Sequence, residues 1–449
     1  MSPDRRDFLG LSAALATSGL LGGCLGTPLG DDTVPVDTVE SDDTPVTPRD
    51  VDTDTLGTLV ADATDFAFDL HTSLADANPN ANRFVSPYSV SVALAMTYAG
   101  ARGETREQMA QTLRFSLPRD DLHPAFHALR GRINGGDGSE RTDSDADDKP
   151  RPFTLAGANA LWGQENYPWR DPFLATLDGN YGAGLHAVDF AAEPEVARER
   201  INGWVADRTA EKIPELLPEG SVHSLTRLVL TNPIYFKANW QHEFDPEKTQ
   251  PRTFTALDGS TSEVPTMEVT EDLPYTETDG HQLVELPYVG GEVSMVVALP
   301  KEGHFEKFER SLDADRLSEL LDGLDEREGT LQLPTFTFST ATSLKETLAD
   351  LGMPVAFEQN AADFSGMADT DDPLFIGDVI HEAFVGVDEK GTEAAAATAV
   401  TVETTSAELN PPEPFEMTVD RPFLFAIRQR ETGALLFVGR VVDAAAAQE

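Results

Sequence analysis

A hydrolytic or group-transfer site needs a side chain that attacks and a base that activates it. The 449 residues contain no GxSxG, no HExxH, no Walker loop and no GxGxxG following a strand. The one cysteine, Cys24, falls in the leader region, which removes a Cys–His pair, an internal disulfide and a Cys-rich zinc site together. Nine histidines are spread along the chain, and each reads as a surface or hydrogen-bonded structural group. No catalytic residue, no metal and no cofactor is expected, and the chain is not expected to be an enzyme.

Residues 388–412 offer another kind of chemistry, that of backbone pairing. They run Asp-Glu-Lys-Gly-Thr-Glu, then four alanines, then Thr-Ala-Val-Thr-Val-Glu-Thr-Thr-Ser-Ala-Glu-Leu-Asn-Pro-Pro. Alanine favours helix, whereas the β-branched residues that take over at Thr398 favour strand, so the stretch has no settled local preference. Read with the two-residue period of a strand, Thr392, Ala394, Ala396, Thr398, Val400 and Val402 form a face of small or apolar groups. The opposite face, Glu393, Ala395, Ala397, Ala399, Thr401 and Glu403, carries a carboxylate at each end. Small groups matter because a strand sliding between two others cannot drag bulk or charge through a close-packed interior. Gly391 supplies a permissive hinge, and Asn410-Pro411-Pro412 cannot join a central strand. Taken alone, the segment is either an exposed loop able to become a strand over its first half or an Ala/Thr linker ahead of a C-terminal hairpin.

Such a loop needs a sheet to join and a body to hold it out. Leu59, Ala63, Phe66, Ala67 and Leu70 recur at three and four residues and predict an amphipathic helix over 56–74. Ser86 followed by Pro87 predicts an N-cap with proline at the first helical position, and a buried helix through Ala101. Further helices are predicted over 104–115, 121–134 and 193–209, and strands over 153–162, 228–236, 282–286, 293–299 and 329–338. Helices and strands come in mixed runs, which predicts an α+β class rather than a doubly wound sheet. Residues 135–152 turn to Gly, Asp, Ser and Arg and read as a surface insert within one domain spanning 56–445.

Hydrophobic residues at 40%, with 24 Phe, suffice for a sizeable core. The net charge of −45 makes nucleic acid and anionic membranes poor partners. Such an excess of carboxylates repels itself in ordinary buffer, but at 1 M salt the screening length is about 3 Å. The surface suits a halophile's protein; a merely acidic secreted protein is the other reading. At the N-terminus, Arg5 and Arg6 precede Phe8-Leu9 and a weakly apolar run to Leu21. That run is shorter than the ~20 residues needed to span ~30 Å of hydrocarbon, so residues 1–23 read as a signal peptide. The paired arginines resemble a twin-arginine export signal. Leu21-Gly-Gly-Cys24 resembles a lipobox, in which the chain is cut before Cys24 and its thiol acylated; a chance cysteine near an ordinary cleavage site is the alternative. Residues 24–55, rich in Asp, Thr and Pro, predict a disordered, extended tether. Export to the outer face of the cell membrane, held there by lipid or released, is the expected location.

Glu389-Lys-Gly-Thr-Glu-Ala-Ala-Ala-Ala-Thr398 closely resembles the hinge of inhibitory serpins. Other serpin-like motifs follow in the family's order: Phe84-Val-Ser-Pro-Tyr-Ser89, Gly100-Ala-Arg-Gly-Glu-Thr105, Ile201-Asn-Gly-Trp-Val205, Thr231-Asn-Pro-Ile-Tyr-Phe-Lys237 with Trp240, Leu286-Pro-Tyr288, Ala362-Asp-Phe-Ser365, Arg421-Pro-Phe-Leu-Phe425 and Phe437-Val-Gly-Arg440. The resemblance implies about nine helices and three β-sheets in an α+β fold, with residues 389–412 as the reactive-centre loop. It implies a hinge of Glu389, Gly391, Thr392, Glu393, Ala394, Ala395, Ala396 and Ala397. A target serine protease would cut the loop, become acylated and be trapped as the loop inserts. The family's usual spacing from the hinge glutamate puts the reactive bond at Thr405–Ser406, with Glu403, Thr404 and Leu409 also open. A small β-branched residue there suits a subtilisin-like or elastase-like pocket. Ser86, Asn232 and His381 match the polar cluster under the sheet where it opens, an implied latch that is compatible with a plain capping role for Ser86. Pro233 departs from the family's pattern and puts local strand pairing in question. The resemblance further implies a monomer without a heparin-type activator, since no basic helix matches that site. A non-inhibitory serpin-fold binding or chaperone protein and a cross-class inhibitor of cysteine proteases are the other readings.

Overall fold

Elements appear where local chemistry dictates, with a few displaced boundaries. The computed structural model describes residues 38–39, 46–134, 153–157, 159–182, 184–370, 373–392 and 413–448. A two-residue strand, β1 (Thr38–Val39), precedes the first helix, α1 (Thr53–Ala77). The helix begins three residues before the predicted start because Asp52 caps it, its carboxylate accepting from the Thr55 N–H at 2.8 Å. Then come β2 (Arg83–Val85), α2 (Pro87–Tyr98), α3 (Gly103–Thr112) and α4 (Arg119–Ile133). Helix α2 is apolar on nearly every side, as Val90, Ala93, Leu94 and Met96 show, and is buried accordingly.

The predicted strand over 153–162 is two pieces, β3 (Phe153–Gly157) and β4 (Ala160–Gln164), followed by α5 (Asp171–Tyr181), β5 (Leu185–Val188), α6 (Pro194–Arg208) and β6 (Leu228–Asn239). Strands β7 (Gln250–Thr255), β8 (Thr261–Thr278), β9 (His281–Pro287) and β10 (Val293–Leu299) come next, then α7 (Phe305–Glu309) and α8 (Ala314–Asp322). The predicted strand over 329–338 is also two, β11 (Asp325–Pro334) and β12 (Phe336–Ser343), which lie in different sheets. Pro334, with no N–H to donate, marks the change. The chain ends with α9 (Lys345–Asp350), β13 (Val379–Val387), β14 (Gly391–Thr392), β15 (Phe415–Thr418), β16 (Phe423–Gln429) and β17 (Leu435–Val441).

Nine α-helices are present among the described residues. Among the described residues the strands pair into two hydrogen-bonded networks, the second of which holds two groups of strands. The first has the order β1-β5-β4-β6-β14-β13-β12 with β3 also on β6; the second runs β15-β11-β8-β9-β10-β16-β17-β2 with β7 on β8. The link between those groups is β8, 18 residues long, which pairs with β7 at one end, β9 at the other and β11 between. Helix α6 and the chain after it cover one face of the first sheet: Ile201, Trp204, Val205, Ile213 and Leu217 pack with Trp162 and the half-buried Val229 and Ile380. Strand β1 falls within the stretch expected to be an unstructured tether; it pairs with the edge of β5, Thr38 opposite His186 and Val39 opposite Leu185. No described helix is long and apolar enough to cross a membrane.

Candidate functional site

The first sheet contains a seam. Strands β6 and β13 lie side by side in parallel from Leu230 opposite Val379 to Tyr235 opposite Phe384. Beyond that point they part, and β14 is wedged between them, antiparallel to both: Gly391 opposite Asn239, Thr392 opposite Ala238 on one side and opposite Val387 on the other.

A tight turn sends the chain back from β13 into this gap. The Asp388 N–H donates to the Gly391 carbonyl at 3.0 Å, and the Asp388 carboxylate accepts from the N–H groups of Lys390 at 2.8 Å and Gly391 at 3.1 Å. Glycine is required at the first rung, because a Cβ on Gly391 would stand 2.1 Å from the Ala238 carbonyl oxygen. Trp240 ties the turn to β6, its indole N–H donating to the Asp388 carbonyl at 2.9 Å and its own N–H to the Lys390 carbonyl at 2.8 Å. Glu389 is held twice: its carbonyl accepts from the Phe244 N–H at 2.8 Å and its carboxylate from the Thr249 hydroxyl at 2.6 Å. Thr392 is 1% exposed and points into the core, its hydroxyl 2.7 Å from that of Tyr288, whose ring stacks on Trp240. Burial pushes the Tyr288 phenol pKa up, so the phenol stays a hydrogen-bonding group rather than a charge.

Lower on the same seam lie Ser86, Asn232 and His381, all fully buried. The Ser86 N–H donates to His381 Nε2 at 3.1 Å, which fixes the imidazole proton on Nδ1; that N–H faces the Asn232 carbonyl at 2.9 Å and its side-chain Oδ1 at 3.2 Å. Burial drives the His381 pKa down to about 4, opposed only partly by the bond to Asn232. A proton on Nε2 would meet the Ser86 N–H head on, so geometry and desolvation favour the same neutral tautomer. The Ser86 hydroxyl donates to the Leu436 carbonyl at 2.6 Å and accepts from the Ser89 N–H at 3.2 Å, so Ser86 caps α2 while its backbone holds His381. Two neighbours not singled out from sequence complete the cluster. The Ser89 hydroxyl lies 2.5 Å from Asn232 Oδ1 and 2.6 Å from Asn159 Oδ1. With one proton it can serve one carboxamide at a time. Ser89 and Asn159 carry no local signal; only three-dimensional proximity reveals them.

Pro233 keeps its place in the seam, opposite Glu382. On its other side β3 ends opposite Ile234 and β4 starts opposite Thr231, so the ladder is interrupted beside the proline. Of the implied hinge, Glu389, Gly391 and Thr392 are thus brought together at the head of the seam. Glu393, Ala394, Ala395, Ala396, Ala397, Thr405 and Ser406 lie outside the described residues, as do Cys24, Arg5 and Arg6. His123 and His127 stand one turn apart on α4, a spacing that could pair metal ligands, but His123 Nδ1 is 2.7 Å from the Tyr181 hydroxyl. No metal-holding group of His, Cys, Asp and Glu occurs among the described residues.

Residues 61–444 match the family model "Serpin (serine protease inhibitor)". An uncharacterized serpin-like protein of Thermococcus kodakarensis is 40% identical over 380 residues, 84% of each chain. The leukocyte elastase inhibitor of Bos taurus is 40% identical over 392 residues, covering 85% of this chain and 98% of its own. Among solved structures, the thermophilic serpin tengpin in its native state superposes with a TM-score of 0.76 at 27% identity, over 89% of this chain and 97% of its own. Thyroxine-binding globulin in complex with thyroxine gives 0.73 at 29%, over 87% and 100%.

Proposed function

The chain belongs to the serpin family, and from that premise we propose that it inhibits serine endopeptidases by inserting its cleaved loop between β6 and β13. The observation that carries this reading is the wedge of β14, a first rung already in place with its side chain facing the core.

The two registers around that rung can be continued down the seam. In the proposed inserted state Ala394 would then lie between Phe236 and Val385, Ala396 between Ile234 and Ala383, Thr398 between Asn232 and His381, and Val400 between Leu230 and Val379. Both flanking strands assign the same loop residue to each rung. The positions that would face the core with Thr392 are the uncharged set, and the two glutamates fall on the other face. At the latch, Thr398 would part Asn232 from His381 and offer its hydroxyl to the Nδ1–H.

In the proposed sequence the protease serine attacks the carbonyl at the reactive bond, the new amine leaves, and an ester joins loop to enzyme. Once cut, the loop is free to zip into the seam and carry the protease with it, deforming the enzyme before water can hydrolyse the ester. A new central strand of about a dozen residues gains ladder bonds on both sides at ~0.5–1.5 kcal/mol net each. The uncut molecule is accordingly metastable and held kinetically. The reactive bond is proposed as Thr405–Ser406, and the target as a subtilisin-like or elastase-like enzyme; the relative from Bos taurus, named as an elastase inhibitor, supports that class. The small residues at Thr392 and 394–397 weigh against a non-inhibitory binding or chaperone role. Export through the Arg5-Arg6 signal, anchoring at Cys24 and function as a monomer in strong salt complete the proposal.

The test is to mix the protein with a subtilisin-type protease in concentrated salt and resolve the products on a denaturing gel. A covalent band at the summed mass is expected. Clean cleavage without that band would overturn the trapping mechanism.

A further inference from the structure

Three arginines are buried among the described residues, and two of them are well matched. Arg198 bonds to Glu195, Glu215 and the Leu217 carbonyl. Arg440 uses all five of its N–H directions: Nε reaches the Ala81 carbonyl at 3.2 Å, Nη2 those of Asn78 at 2.9 Å and Pro79 at 2.7 Å, and Nη1 both oxygens of Glu309 at 3.2 Å. Arg83 is the exception. It is 7% exposed, its side chain has no ion pair and no hydrogen bond among the described residues, and its Nε–H is buried without a partner.

Strand register explains why no carboxylate is left for it. Arg83 on β2 lies directly opposite Arg440 on β17, so two guanidinium side chains leave neighbouring strands on one face. The carboxylate near both is Glu309 of α7, already taken by two bonds from Arg440 and one from His71 Nε2 at 2.9 Å. Burial alone would push the Glu309 pKa up, but His71 and Arg440 hold it below the ordinary value, so the group is ionised. Burial first, and then the Arg440 charge, lower the Arg83 pKa to about 10, with Glu309 opposing, so Arg83 keeps its proton at neutral pH. Two guanidinium charges thus face one carboxylate inside a chain whose net charge is −45.

An unmatched buried charge is strongly destabilising, and an anion at the free N–H groups cancels the surplus. A side chain so covered admits a single ion rather than a molecule. The distant carboxylates that repel anions in dilute buffer are screened to about 3 Å at 1 M salt, which leaves the local surplus to decide. We propose that the Arg83 guanidinium is the binding site of one small inorganic anion, chloride in a chloride medium. The site stands apart from the protease reading, and its test needs no protease.

Crystals of the full chain are soaked in potassium bromide and the anomalous signal of bromide is mapped. In parallel, melting temperatures of the unsubstituted chain and of Arg83→Leu are compared in potassium chloride and in potassium methanesulfonate at one concentration, so that general screening is common to both salts. Leucine removes the charge and leaves an apolar filling, so the variant is expected to fold. The expected result is a bromide against the Arg83 guanidinium, with a chloride advantage of about 2 °C in the unsubstituted chain that disappears in the variant. No bromide at Arg83 overturns the site. A bromide there with the same chloride advantage in both proteins marks an adventitious ion only and overturns it as well. The bromide map uses the unsubstituted chain alone, so it can overturn the site even where the variant does not fold.

Discussion

Thr392 is the residue at which sequence and seam meet. Its side chain is already buried against Tyr288, so a long charged group there would disrupt the first rung from which the rest of the loop must follow. Thr392→Arg is expected to turn inhibitor into substrate: the protease still cuts, the covalent band disappears, and gel densitometry measures the change. His381 governs a second expectation. Its native pKa lies near 4, below the ordinary value of 6.5, so above pH 6.5 neither state holds the proton and stability is unaffected. Between pH 6.5 and 4 the unfolded chain takes a proton that the native state refuses, and stability falls by up to ~1.4 kcal/mol per pH unit. His123, near 3, and His186, near 4, add to the same slope. His381→Gln should flatten the dependence of melting temperature on pH by about one proton across that window, and an unchanged slope would count against a buried neutral imidazole. Ser86 and Thr392 were legible in the sequence because their chemistry is local or periodic. Ser89 and Asn159 were not, since their roles arise from an approach across many intervening residues.

At the scale of elements, period and capping located most helices and strands, and the misses have named causes. The strand predicted over 329–338 kept its pattern through Pro334 while the chain changed sheets, and pattern alone cannot report a change of sheet. The break between β3 and β4 lies beside Pro233, so the effect of the proline falls on a strand distant in sequence. Strand β1 was hidden because two residues are too few to show periodicity; β5 supplies the template. The central expectation at this scale concerns β6 and β13. Nicking near Thr405 should let the loop complete the sheet and raise the melting temperature by roughly 10–20 °C, taking about a dozen ladder bonds for a chain of this size. Calorimetry of intact and nicked protein checks this; equal melting temperatures would mean that no strand is gained.

For the whole molecule the dominant quantity is a net charge of −45. Repulsion among these carboxylates opposes the compact state and is screened by salt. The melting temperature is expected to climb between 0.1 M and 2 M potassium chloride, and a flat or falling profile would remove the basis for a high-salt habitat. The family was legible across the chain because its motifs occur in order from Phe84 to Arg440; the joining of two strand groups into one hydrogen-bonded network was not, since it depends on the unbroken length of β8.

In the proposed mechanism, the way His381 is fastened would bear on how long the uncut molecule survives. One of its nitrogens is gripped from the α2 side by Ser86, the other from β6 by Asn232. Under the proposed insertion β6 would have to part from β13, and the Nδ1–H of His381 would then momentarily face nothing. Such an orphan costs ~1–3 kcal/mol, which slows the passage roughly 5- to 150-fold. On the proposed insertion the delay would last only until the Thr398 hydroxyl arrived to relieve it, so a single imidazole N–H would act as a timer released by the incoming strand itself.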